Sequence, residues 1–128
     1  MTESSYAAFA ALFFVVPALY TAGFQLAMTG GAPWGHLTLG GRWHGVLPPP
    51  IRLLSFVQAV LVFAMIAIVL DRGGVITLSL PDWTYYATLA LCALSVVANA
   101  ATPSKPERLL MLPVAGLMLV TAGLAGCL

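Results

Sequence analysis

Four stretches of this chain, 5–28, 51–70, 83–100 and 109–128, run for about twenty residues each with no charge in their interiors. That feature constrains the fold more than any other. A helix rising 1.5 Å per residue needs about 20 apolar residues to cross a hydrocarbon layer of about 30 Å. Within lipid every backbone polar group must be satisfied internally, which leaves helices and closed barrels. A barrel would need short strands alternating polar and apolar, whereas these runs are continuous and rich in Ala, Leu and Val, so helices are expected. Only 7% of the residues are charged, against about 25% in soluble domains. Four acids and five bases cannot cover a water-facing exterior. The expected fold is an all-α membrane protein: one integral membrane domain over 1–128, an antiparallel bundle of four transmembrane helices.

The ends of the runs carry helix signals. Pro48-Pro49-Pro50 precedes the second span, and a proline is accepted in a first turn. Asp82 stands where an N-cap acceptor is wanted before the third span. Ser104-Lys105-Pro106-Glu107 has the S-x-x-E spacing of a capping box before the fourth. The first span is too long for a signal-peptide apolar core and lacks a basic segment before it, so it reads as a retained span. Pro17 and Pro113 fall inside spans one and four, where each removes a backbone donor and favours a kink.

Loops one and three hold Arg42, Arg52, Lys105 and Arg108, and the opposite side holds only Arg72. The positive-inside rule then puts loops one and three in the cytoplasm and both termini outside, in a bacterial inner membrane. A formal charge of +1 supplies no field for nucleic acid. The expected surroundings are the lipid bilayer and, through small residues such as Ala122 and Gly126 on span four, another membrane protein or a second copy of the chain.

Loop one, Gly35 to Arg52, holds both histidines and is the only long polar-leaning segment. Taking Gly40-Gly41 as a two-residue turn makes it a short β-hairpin. Its register sends His36 and His44 to opposite faces, which argues against a shared metal site, and two histidines are too few donors for zinc. The loop is then an interfacial cap whose Trp34 and Trp43 suit the headgroup zone. The competing reading makes it a lid over a site, with His44 and Arg42 on its more amphipathic face.

The polar residues support the lid to a degree. Gln25, Gln58 and Asn99, from three different spans, fall in the same leaflet as Arg52 and loop one. Intramembrane polar groups are costly and usually face inward. They either hydrogen-bond one another and hold the bundle together or line a pocket. The candidate ligand-binding residues are therefore Gln25, Arg42, His44, Arg52, Gln58 and Asn99. Asp71-Arg72 reads as an interfacial ion pair, and Trp83, Thr84, Tyr85 and Tyr86 as an aromatic belt. Cys92 and Cys127 read as small apolar side chains in helices.

No intramembrane Asp, Glu, Lys or His suits a proton relay. No Ser/His/Asp or Cys/His set shares a depth, and no carboxylate pair offers acid–base chemistry. No catalytic residue, metal or cofactor is expected, and the enzyme reading leans to no. The two halves share no motif or loop length, which gives an inverted-repeat transporter no support.

The pattern Pro33-Trp34-Gly35, Gly40-Gly41, Leu47-Pro48, Arg52 and Pro106-Glu107-Arg108 resembles small uncharacterised four-span bacterial membrane proteins over nearly the whole length. The resemblance implies four spans and carries no functional residues with it. Two functions stay open. The first is a non-enzymatic accessory or assembly component acting through helix–helix contacts. The alternative is a binder or carrier of a small apolar or amphipathic ligand in the polar cluster under loop one.

Overall fold

The computed structural model describes residues 3–127. It has four long helices: α1 (Glu3–Thr29), α2 (Pro49–Arg72), α3 (Asp82–Ala101) and α4 (Lys105–Cys127). Each is long and apolar enough to cross a membrane. Leu128, the last residue of the expected fourth span, lies outside the described residues. Pro49 and Pro50 occupy the first turn of α2, as their fixed φ permits. Helices α1 and α4 continue through Pro17 and Pro113.

Neighbouring helices run antiparallel. At one end Arg52, at the start of α2, bonds the carbonyl of Thr29, at the end of α1. At the other end Gly73, just past α2, packs on Ala11 near the start of α1. In the same way Tyr85, early in α3, bonds the Ala122 carbonyl late in α4 at 2.8 Å. Helix α1 is central and packs against both α2 and α4, while α4 also packs against α3. The seam between α2 and α3 has little contact and stays open.

The core explains this order. Ala11, Phe14, Ala18 and Ala22, spaced three to four residues apart as one helix face requires, form a buried stripe on α1 that Ala10 widens. Small side chains there let α2 and α4 approach closely, which drives packing where lipid offers no hydrophobic contrast. The outward residues, Phe13, Val16, Leu53, Leu94 and Val97 among them, are exposed apolar side chains, as a lipid-facing surface demands.

Loop one is not a β-hairpin. Among the described residues there is no strand, and the loop holds two short 3-10 turns, Gly35–Leu37 and Leu39–Gly41. One cross-loop backbone bond, from Gly35 N to the Gly45 carbonyl at 2.8 Å, closes it. The tight turn sits one residue earlier than expected: Gly41 N bonds the Thr38 carbonyl at 2.9 Å, with Leu39 (φ 51°) and Gly40 (φ 73°) at its centre. Two central residues at positive φ is the signature of a type I′ turn. No ladder extends from it, because the flanks are drawn elsewhere. Trp43 and Leu37 pack onto the buried Phe24, Met28 and Leu47, and His36 gives its carbonyl to Ser104 Oγ at 2.6 Å.

The charged residues at the far end also differ from expectation. Asp71 does not pair with Arg72. Its carboxylate accepts the backbone N–H groups of Leu78, Ser79 and Leu80 at 2.7–3.1 Å, which folds the 73–81 connection between α2 and α3 around it. Arg72 instead reaches Asp82 at 3.0 Å and lies over the Tyr85 ring at 4.6 Å. Asp82 makes no capping bond, since the N-cap position falls on Pro81. Tyr85 is not a belt residue: it is buried, and its hydroxyl is spent on α4.

Candidate functional site

The open seam between α2 and α3 widens into a cavity of about 780 Å³ on the loop-one side of the bundle. That volume falls within the usual range of small-molecule sites, roughly 300–1,000 Å³. Its lining residues farthest from loop one on each helix are Thr21, Met65, Leu91 and Met118. Its roof is the loop-one turn, from Leu37 to Gly40 with Arg42 and Trp43, backed by Thr102 and Pro103. The walls are mostly apolar, and the polar groups gather toward the roof.

Four of the six residues expected at a site line this cavity: Gln25, Arg42, Gln58 and Asn99. Three helices bring the amides to one space because Gln25 and Asn99 stand within about one turn, and Gln58 about two and a half turns, of the loop-one end of their helices. Among the described residues no hydrogen bond joins the three amides to one another. Asn99 Nδ2 bonds the Ser95 carbonyl at 2.7 Å and Ser95 Oγ at 3.2 Å, within its own helix. Gln25 Oε1 is buried with no hydrogen-bond partner. A buried polar atom left unpaired costs about 1–3 kcal/mol, so this oxygen is an acceptor awaiting a donor.

The other two expected residues stand apart from the cavity. Arg52 is used structurally: its Nε donates to the Thr29 carbonyl at 3.0 Å, capping the C-terminus of α1 with a positive charge, which complements the helix dipole. Arg108 does the same for α3 through the Thr102 carbonyl at 3.0 Å. His44 is exposed in loop one and does not line the cavity. Arg42 lines the roof with its guanidinium 5.2 Å from the Trp43 ring.

One charged cavity residue, read from the sequence only as a helix-capping acid, was not among the expected site residues. Glu107 is buried, with only 6% of its surface exposed, and it lines the cavity. Half of the expected capping box forms, since Ser104 Oγ accepts the Glu107 N–H at 3.3 Å. The carboxylate does not reciprocate. The Ser104 N–H goes to Thr102 Oγ1, and Glu107 Oε2 instead accepts the N–H of Gly40 in the roof, at 3.3 Å. A capping-box reading treats this acid as a surface group, and nothing local says otherwise. The one usable signal is that Glu107 is the only acid on the side of loops one and three.

No group of three or more His, Cys, Asp or Glu side chains is close enough to hold a metal among the described residues. The arrangement has the chemistry of an amphipathic site: a mostly apolar shaft open between α2 and α3, closed at one end by a polar roof. Compared with known protein families, with curated proteins and with solved structures, the chain matches none.

Proposed function

We propose that this protein is a membrane-embedded binder or carrier of a small amphipathic molecule, which enters from the bilayer between α2 and α3. The observation that carries the reading is the roofed cavity of about 780 Å³, with Gln25, Gln58, Asn99 and Glu107 gathered in its upper half. A tail placed along Leu54, Leu61, Leu91 and Leu94 would leave a head group beside these polar side chains. The seam lets a molecule move in without leaving lipid, so the tail never crosses water. Loop one covers the head end, and its attachment to α4 through Ser104 and Glu107 makes it a fixed roof.

In this reading the four helices form an antiparallel transmembrane bundle in a cytoplasmic membrane. The basic residues of loops one and three set the cavity in the cytoplasmic leaflet. The helix-contact role finds less support, because Ala122, Ala125 and Tyr85 are already consumed inside the bundle. Native mass spectrometry of the protein released from mild detergent tests the proposal. One amphiphile carried at a one-to-one ratio supports it, and a protein that arrives bare contradicts it.

A further inference from the structure

Resting on that binding reading, we infer that the head group this cavity selects is a protonated primary amine, held by the Glu107 carboxylate and the Gln25 carbonyl oxygen.

A carboxylate can accept about four hydrogen bonds, and Glu107 accepts one, from Gly40 N. Among the described residues the only ion pair is Arg72–Asp82 at the opposite end, so Glu107 has no cationic partner. A buried charge without such a partner is costly. Its position in the first turn of α4 offsets part of that cost through the helix dipole. Gln25 Oε1 is a buried acceptor with no donor at all. Both line the same cavity.

The ligand that answers this pattern carries several N–H donors and a positive charge. A primary ammonium has three donors and no acceptor. A hydroxyl offers one donor and no charge, and a sulfate or phosphate offers only acceptors to a site already rich in them. Arg42 is the one cation in the lining, and it does not reverse the choice. Its side chain is exposed over Trp43, where water and salt screen it within about 10 Å. The Glu107 charge is buried, where the same field acts at lower effective dielectric. Arg52 and Arg108 are turned to the Thr29 and Thr102 carbonyls.

Trp43 lines the cavity and serves as the reporter. With Trp34→Phe and Trp83→Phe it is the sole tryptophan. The protein is placed in zwitterionic nanodiscs at neutral pH and titrated with brominated dodecyl chains bearing an ammonium, a hydroxyl or a sulfate head. Bromine quenches the indole when the chain enters. The amine is expected to quench at about tenfold lower mole fraction than either other probe, the scale of one charged hydrogen bond. Glu107→Gln should bring the amine down to the level of the alcohol, and the ratio between the two proteins cancels differences in partitioning. Equal quenching by all three heads in the wild type, which needs no variant, overturns the amine assignment and leaves the cavity reading standing. A Glu107→Gln protein that loses all three probes together, with a lowered melting temperature, overturns it too by making the carboxylate a structural anchor only. If no probe quenches a folded wild-type protein, the cavity reading itself fails.

Discussion

The N–H of Gly40 meets the Glu107 carboxylate at 3.3 Å, joining loop one to the first turn of α4 across 67 residues of sequence. With Ser104 Oγ on the His36 carbonyl, this contact fixes the roof over the cavity. It also shows which atoms of loop one matter: backbone and turn, more than imidazole.

Gly40 sits at φ 73°, and an L side chain in that left-handed region costs roughly 1–2 kcal/mol. Gly40→Val should therefore lower the melting temperature in detergent. The double variant His36→Ala, His44→Ala removes no bond made by an imidazole and should stay within about 0.5 kcal/mol of wild type. Differential scanning fluorimetry of both proteins compares them. A histidine variant that melts as early as the glycine variant would contradict this account of the loop.

At the other end of the bundle, Gly126 is the residue that admits Tyr85. A Cβ at position 126 would overlap the Tyr85 ring, whereas one at Gly116 would meet nothing within 4 Å. Gly126→Ala should cost about 1–3 kcal/mol through overpacking, and Gly116→Ala should cost nothing measurable. Tyr85→Phe, which gives up the 2.8 Å bond to the Ala122 carbonyl, should cost about 1 kcal/mol. Unfolding midpoints in graded denaturing detergent measure all three, and equal effects of the two glycine changes would refute the packing described here.

Arg52 and Glu107 lie at the same end of the protein and should behave differently. Arg52 caps α1 and lies outside the cavity lining. Arg52→Ala should lower stability by about 1–2 kcal/mol while the protein that remains folded binds amphiphile as before. Trp43 quenching at a temperature well below the midpoint separates the two effects. Unchanged stability with lost binding would place Arg52 in the site after all.

Much of the fold was legible because long, charge-free apolar runs admit little besides helix. The runs 5–28, 51–70 and 83–100 anticipate α1, α2 and α3 closely, since charge-free length is a direct readout of membrane thickness. Helix α4 begins earlier, at Lys105, where Ser104 marks the cap. Shared depth likewise brought Gln25, Gln58 and Asn99 together, because position along a span is also height in the bundle. What stayed hidden depends on contacts between distant segments. Alternation around Gly40-Gly41 suggested a hairpin, yet Trp43 and Leu37 were claimed by Phe24 and Met28. Glu107 looked like an ordinary capping acid until Gly40 came to lie over it. Tyr85 matched an interfacial belt by position, and only the small face of α4 reveals why it is buried.

The basic residues predict orientation. In a Cys127→Ala background, which removes the exposed native thiol, cysteines at His44 and at Thr77 report on opposite sides. Both positions are exposed. An impermeant maleimide added to intact cells should label Thr77→Cys and spare His44→Cys until the membrane is opened. The reverse pattern would put the cavity in the outer leaflet.

The claim that the cavity is a ligand site is tested most directly by filling it. Ala98 lines the cavity, whereas Val97, its neighbour on α3, is exposed and lies outside the lining. Ala98→Phe and Val97→Phe add aromatic bulk to the same helix one residue apart. Native mass spectrometry of each, purified identically from cell membranes, is the decisive measurement. The account predicts a bound amphiphile on wild type and on Val97→Phe and none on Ala98→Phe, with all three proteins melting alike. An adduct that survives Ala98→Phe, or one lost equally from both variants, would contradict it.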